Sequence, residues 1–286
     1  MKRILITGHK GFIGKYLTKY FSQDNHVFSI PKKAFNSGEA LRAKLDSYKC
    51  DYLIHLASYT ALSEENYEYY NKQLKNTLLP TINLALNAPK ATKVIIFFGS
   101  SDEYGNSKIP YKENTLPNPL TSYGWAKYSA RLAVKKIMEE RKIPYIWVIP
   151  GLVIAEHGNP QRLSGEIFSH LKNNKKLKVR NPDNIRDFIT MDNLASIIDD
   201  IKDNKKLYNS TTNISFENYF NIKNLYEHIS ENKKLIKVPK ASFVGRPGRE
   251  LMFLSGSKLK KIIRKKIKNN INEYLKSLIK RFKKQK

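Results

Sequence analysis

Apolar positions in the first 150 residues alternate between strand and helix periods. Arg3 to Ile6 is a short apolar run ending at Thr7-Gly8, and Phe12 to Phe21 then sets Ile13, Tyr16, Leu17, Tyr20 and Phe21 at helical spacing. His26 to Ile30 reads as a second strand stopped by Pro31, Leu41 and Leu45 mark a short helix, and Asp51 to Ala57 is a third strand. Tyr67 to Leu86 reads as one long helix that Pro80 kinks. Lys93 to Gly99 and Tyr145 to Ile149 are strands apolar on both faces, with an amphipathic helix at Tyr123 to Arg141 between them. Such strands, alternating with helices, predict an α/β fold whose parallel sheet is covered on both sides.

After Pro150 the pattern loosens. Ile167 to Lys172 and Asn193 to Ile201 look helical, and Leu177 to Val179 and Tyr208 to Ile214 read as strands. Longer loops carry Gly158-Asn159-Pro160, Asn181-Pro182-Asp183 and Arg246-Pro247-Gly248. The expected organisation is a sheet domain over 1–150, a small substrate lobe over 151–256 and a tail over 257–286. A segment near 186–202 is expected to return to the sheet domain.

In the tail, Leu259, Ile262, Ile263, Ile267, Ile271, Tyr274, Leu275, Leu278, Ile279 and Phe282 fall at helical spacing among lysines and arginines. Such a helix either lies on an anionic membrane surface or packs on the lobe or on a partner chain. A chain ended after Gly256 is expected to stay soluble.

Composition narrows the class. The chain has 286 residues, 41% of them hydrophobic, enough for a real core. The single cysteine, Cys50, excludes an internal disulfide framework and a Cys-rich zinc site, and suits a reducing, cytoplasmic setting. No apolar run approaches the length of a membrane span, and the apolar stretch at the N-terminus is too short for a signal peptide. The net charge is +27, of which +12 falls in the last 30 residues. That charge attracts nucleic acid, anionic lipid or phosphorylated small molecules alike. No nucleic-acid motif accompanies it, so no nucleic-acid partner is expected.

Three segments carry candidate chemistry. Thr7-Gly8-His9-Lys10-Gly11-Phe12-Ile13-Gly14 follows a strand and opens a helix. Glycines at 8, 11 and 14 suit a tight turn, close approach of backbone to a pyrophosphate, and close helix–strand packing. The helix N-terminus favours phosphate, so a dinucleotide is expected there. The second strand ends Ser29-Ile30-Pro31-Lys32-Lys33 without the acid that would bind the ribose hydroxyls of NAD. Lys32 and Lys33 either hold a 2′-phosphate, favouring NADP over NAD, or are ordinary surface lysines. Tyr123 and Lys127 share a helix face, where the ammonium favours the phenolate and makes Tyr123 usable as acid or base. Gly99-Ser100-Ser101-Asp102-Glu103-Tyr104-Gly105 follows a buried strand at the sheet's carboxyl end, where ligands bind. Its serines either bond a reacting oxygen or cap the next segment, and its two carboxylates either serve acid/base work or form a solvated turn.

Together with Asp51-Tyr52-Leu53-Ile54-His55-Leu56-Ala57-Ser58 and Arg186-Asp187-Phe188, these segments occur in the order found in the extended short-chain dehydrogenase/reductases. The chain resembles their NAD(P)-dependent epimerase/dehydratase group, which acts on nucleotide sugars. The resemblance covers roughly residues 1–200, with a weaker echo at Arg246-Pro247-Gly248. It implies a Rossmann-type doubly wound sheet with a small C-terminal substrate lobe. It implies that Gly8, Lys10, Gly11, Phe12, Ile13 and Gly14 hold the pyrophosphate and that Leu56 and Ala57 line the cofactor. Ser101, or Ser100, would bind the sugar, with Tyr123 as acid/base and Lys127 on the nicotinamide ribose. Pro150 and Val153 would pack beside the nicotinamide, and Arg186 and Arg246 would hold the nucleotide diphosphate. Family members often dimerise through the helices starting near Tyr67 and Tyr123. The chain departs from the family at Gln73-Leu74-Lys75-Asn76-Thr77, where Asn-x-x-Gly-Thr is usual, and at Ile149 to Ala155.

Three activities compete. A 4-keto reductase would pass hydride from NADPH to C4 of a keto-deoxy sugar while Tyr123 gives the proton. A 4,6-dehydratase or an epimerase would retain NAD, and in the dehydratase Asp102 and Glu103 would do acid/base work. A non-catalytic sensor would have little need of the Ser, Tyr and Lys set. Enzymes of surface polysaccharide synthesis work near a membrane, which a peripheral tail would suit.

Overall fold

The computed structural model describes residues 1–60, 65–156, 162–173, 181–231, 233–239, 250–263, 267 and 270–283. The chain gathers into two compact units, one of residues 1–105, 117–149 and 198–212, the other of 106–116, 150–197 and 213–286.

In the first unit, β1 (Arg3–Thr7) is followed by α1 (Phe12–Phe21), β2 (His26–Ser29), α2 (Gly38–Tyr48) and β3 (Tyr52–His55). Then come α3 (Tyr67–Gln73), a π-helical turn (Leu74–Leu78), α4 (Leu79–Asn87), β4 (Val94–Phe98), α5 (Ser122–Arg141) and β5 (Tyr145–Pro150). The sheet runs β2-β1-β3-β4-β5 with these four pairings parallel, and β8 (Ser210–Ile214) extends it past β5. The chain leaves β1 toward β2 and then returns to β3 on the other side. The strand order therefore reverses between β1 and β3, the place where an open α/β sheet leaves a crevice for a ligand. Every residue of β4 is buried, as its apolar run requires.

The helix expected over Tyr67 to Leu86 is continuous but not uniform. Pro80, which has no N–H to give the helix, follows the π-helical turn, where the regular bonding is already interrupted.

The second unit holds β6 (Leu152–Ile154), α6 (Leu163–Asn173), β7 (Ile185–Thr190), most of α7 (Met191–Ile201), β9 (Tyr219–Asn221), α8 (Ile222–Glu231), β10 (Leu251–Met252), α9 (Ser257–Ile262) and α10 (Ile271–Lys283). β7 pairs in parallel with β6 and β10 and antiparallel with β9. The excursion at 106–116 belongs here because Tyr111 exchanges backbone bonds with Phe253 and Ser255 at 2.7 and 2.8 Å. The segment near 186–202 divides between the units, with 198–202 in the first. Leu177 to Val179 and Gly158 to Pro160 lie outside the described residues.

The tail is not one continuous helix, because α9 and α10 are separate. Ile271, Leu275 and Leu278 are buried in a cluster with Ile154, Ile167, Phe188, Phe220 and Leu225, and Tyr274 and Phe282 pack against it. The apolar face offered above as a membrane face is thus covered by the chain itself. The same contacts argue against the expectation that an end after Gly256 leaves the fold soluble, since it would strip this core. No helix among the described residues is long and apolar enough to cross a membrane.

Candidate active site

The glycine loop is built by sterics. Gly8 sits at φ +69°, and a Cβ there would stand 2.8 Å from the backbone nitrogen of Ala57. A Cβ on Gly14 would fall 2.1 Å from the carbonyl oxygen of Gly8, so α1 approaches the turn only because residue 14 has no side chain. Gly11 is the N-cap of α1 and supplies no side-chain acceptor, and the first turn carries no acid. With no side-chain cap and no acid, the positive end of this helix dipole favours an anion. Phe12 and Ile13 are half-buried and Lys10 is exposed. A cradle that any Cβ would fill, beside an uncapped helix end at the sheet's reversal point, fits a dinucleotide's pyrophosphate. Leu56 and Ala57, half-buried, leave β3 directly beside Gly8.

The segment after β4 is folded around a buried carboxylate. Ser100 caps a 3-10 turn over Ser101–Glu103, its hydroxyl taking the Asp102 N–H at 3.2 Å. Glu103 Oε1 accepts the Ser100 N–H and the indole N–H of Trp147, each at 3.0 Å. Its Oε2 pairs with Arg131 Nε at 3.1 Å. Burial pushes the Glu103 carboxyl up from the usual range, and Arg131 opposes that shift. Of the two carboxylates expected to face a ligand, Glu103 is fully buried and committed to its own loop. Its carboxylate holds the turn in shape. Ser101 and Asp102 are half-buried.

Thr121 caps α5 by accepting the Gly124 N–H at 3.0 Å. Gly124 lets the helix press on the 3-10 turn, since a Cβ there would stand 2.4 Å from the Asp102 carbonyl oxygen. This contact brings Tyr123, half-buried, and Lys127 to the serine turn. Lys127 is buried, donates from Nζ to the Phe98 carbonyl at 2.7 Å, and stands 5.9 Å from the centre of the Tyr123 ring. Burial pulls its ammonium down to about 8, against the opposing charge of Glu103.

Lys32 is exposed at the start of a 3-10 turn over Lys32–Asn36, next to exposed Lys33. In the second unit, Pro150 is half-buried and Val153 is buried in β6. Arg186, expected on a diphosphate, donates from Nη1 to the carbonyls of Ile185 and Glu250 at 2.9 and 2.7 Å, so that nitrogen serves the β7–β10 edge. Arg246 lies outside the described residues. Sequence reasoning missed Trp147 and Arg131, which hold Glu103, and the buried polar set Thr7, His55, Gln73, Thr77 and Thr81. The four-residue spacing of the last three was a visible signal, as was the departure from the family pattern at Gln73 to Thr77.

A family model described as the NAD dependent epimerase/dehydratase family matches residues 4–214. The chain belongs to this family. Membership in the epimerase/dehydratase family places it among enzymes with a Rossmann-type fold. The chain is 26% identical over 225 residues to a GDP-6-deoxy-D-talose 4-dehydrogenase of Aggregatibacter actinomycetemcomitans, covering 74% of each. It is 25% identical over 239 residues to a dTDP-D-glucose 4,6-dehydratase of Dictyostelium discoideum, covering 70% of this chain and 55% of that protein's length. RMD from Pseudomonas aeruginosa, complexed with NADPH, superposes with a TM-score of 0.81 at 19% identity over 100% of both chains. The family relatives thus include nucleotide-sugar enzymes, and nicotinamide cofactors of both kinds occur among the family and its structural neighbours.

Proposed function

We propose that this member reduces a 4-keto-deoxysugar carried on a nucleotide, using NADPH. The burial of Glu103 carries the reading. A dehydratase of the kind weighed above needs an acid and a base besides Tyr123, and with Glu103 spent on Ser100, Trp147 and Arg131 only Asp102 is left in that segment. Reduction needs less. Reduced nicotinamide, when bound in the crevice, would supply the hydride. Ser101, with Ser100 as alternative, orients the carbonyl oxygen, Tyr123 gives that oxygen a proton, and Lys127 holds the ribose and keeps the phenol acidic by its charge. The lack of an acid after β2 and the presence of Lys32 support NADP over NAD. The talose dehydrogenase relative, which acts at position 4 of a nucleotide 6-deoxysugar by its name, supports the substrate class. Asp102 is what favours the second reading, a dehydratase or epimerase that retains NAD.

Tyr67, Tyr70 and Leu74 on α3 and its π-helical turn, and Trp125 and Leu132 on α5, are large apolar residues exposed on the first unit. We read them as the contact surface of a homodimer. Contact with an anionic membrane would fall to the lysines of α10, among them exposed Lys276 and Lys280.

The deciding experiment is to denature the purified protein, identify any released dinucleotide by mass, and follow NADPH consumption with nucleotide 4-keto sugars. An empty or freely exchanging NADP site with NADPH turnover supports the reductase. Tightly held NAD with no NADPH consumption overturns it in favour of the dehydratase or epimerase.

A further inference from the structure

Gln73, Thr77 and Thr81 recur at every fourth position from α3 into α4, and all three are buried polar side chains. A buried polar row must find its partners inside the protein, and here each bond has a determined direction. The Thr81 hydroxyl donates to the Thr77 carbonyl at 2.7 Å. Its one proton is used there, so toward His55 Nε2, 3.0 Å away, Thr81 Oγ1 is an acceptor. His55 therefore carries its proton on Nε2. Burial pulls this imidazole down to about 3, with the Lys127 charge adding, so it is neutral at physiological pH. Nδ1 is then an acceptor and takes the hydroxyl proton of Thr7 at 2.7 Å. Thr7 Oγ1 in turn accepts the backbone N–H of Ala57 at 3.4 Å. At the other end, Thr77 Oγ1 donates to Gln73 Oε1 at 2.9 Å and accepts the Tyr59 N–H at 3.0 Å. Gln73 Nε2 donates to the Tyr59 carbonyl at 3.1 Å.

A carbonyl holds no proton, so the Thr77 carbonyl fixes the sense of the bonds through Thr81 and His55 to Thr7, and the Tyr59 carbonyl fixes Gln73 Nε2 as donor and Oε1 as acceptor. Ala57 and Tyr59 are held at three backbone atoms by the buried side chains of Thr7, Thr77 and Gln73. Ala57 is also the residue whose nitrogen abuts the Gly8 turn.

We propose that Gln73, Thr77 and Thr81 are positioning residues for the dinucleotide, fixing His55 as the Nε2–H tautomer and, with Thr7, setting the Ala57–Tyr59 backbone against the Gly8 turn. The proposal rests on the glycine loop and Leu56-Ala57 being the dinucleotide site. It goes beyond the proposed reaction, since a reductase, a dehydratase and an epimerase would all use the same loop.

The test pairs a spectroscopic readout with a binding readout. Nitrogen-15 NMR of the full-length chain with labelled histidine, assigned with His55→Gln, should show His55 neutral and protonated on Nε2 between pH 6 and 8. Thr81→Val removes the acceptor at Nε2, and the proton should move to Nδ1, where Thr7 Oγ1 can accept it. The same variant should weaken NADPH or NADH binding about 5- to 10-fold, the size of one lost hydrogen bond. Gln73→Met should weaken binding similarly, while Thr77→Ser, which keeps the hydroxyl, should stay within about 2-fold. An Nδ1–H tautomer in the parent, or no change in Thr81→Val, overturns the chain of bonds. Unchanged affinity in Gln73→Met overturns the positioning role. A parent protein that binds neither dinucleotide overturns the site reading and the positioning role with it. The tautomer measurement, which needs no ligand, distinguishes that failure from a failure of the bond chain.

Discussion

The indole N–H of Trp147 and the carboxylate of Glu103 meet at 3.0 Å over the position where a Cβ on Gly99 would stand, 2.3 Å from each. Gly99 is therefore fixed by two side chains that close beneath the serine turn. Glu103→Gln keeps an acceptor for Ser100 and Trp147 but loses the charge that pairs with Arg131 and helps Lys127 stay protonated. Turnover should fall by no more than about 10-fold, and its alkaline limit should move to lower pH, as a profile of kcat against pH would show. A loss of about 10²-fold or more with dinucleotide binding intact would make Glu103 a reacting acid after all.

Tyr123→Phe removes the proton donor and leaves the ring. Turnover should fall by about 10²- to 10⁴-fold, with the dinucleotide dissociation constant nearly unchanged. Steady-state rates and a fluorescence titration separate the two effects. An active phenylalanine variant would remove Tyr123 from the chemistry.

Lys127 carries a pH signature. In the folded chain it holds its proton only to about pH 8, against an ordinary value of 10.5. Between those values the unfolded chain binds the extra proton, so this group makes stability rise with pH across the window and costs most below pH 8. Lys127→Met lacks that slope. Compared by urea unfolding at pH 7, 8.5 and 10, the stability difference should move steadily toward the parent as pH rises. A difference that does not change with pH would mean the ammonium is not depressed.

What could be read along the chain follows the range of the forces involved. Gly8, Gly11 and Gly14 and the pair Tyr123 and Lys127 are set by contacts within a turn or two, and their spacing shows in the sequence. The burial of Glu103 against Arg131 and Trp147 was not legible, because they are 28 and 44 residues away and nothing local reports them. The π-helical turn before Pro80 and the backbone role of one Arg186 nitrogen were hidden for the same reason. In the tail the apolar period was visible, but Ile154, Phe188 and Phe220, which cover it, were not.

Lys32 and Lys33 separate the two dinucleotides. If they meet a 2′-phosphate, Lys32→Ala with Lys33→Ala should raise the dissociation constant for NADPH about 10-fold and that for NADH by less than about 2-fold, since only one ligand carries the extra charge. Both lysines are exposed, so the fold should not respond. Equal effects on the two ligands would mean the lysines are ordinary surface charge, and the preference for NADP would lose its support from this strand end.

Removal of residues 257–286 tests whether the basic tail is an appendage or part of the core. The cut takes away Leu259, Ile271, Leu275 and Leu278, each at most 1% exposed. At roughly 1.5–3 kcal/mol per buried aliphatic side chain, their loss amounts to about 6–12 kcal/mol, comparable with the whole stability of an ordinary domain. The shortened chain should therefore be insoluble or unfolded by circular dichroism. Leu275→Ala should cost about 2–5 kcal/mol in urea unfolding, because it opens a cavity in the Phe188–Phe220 cluster. Lys280→Ala, on the exposed side of the same helix, should change stability by less than about 0.5 kcal/mol. The contrast between those two substitutions separates a packed helix from a charged tether, and a soluble, folded chain ending at Gly256 would show that the apolar face is dispensable to the second unit.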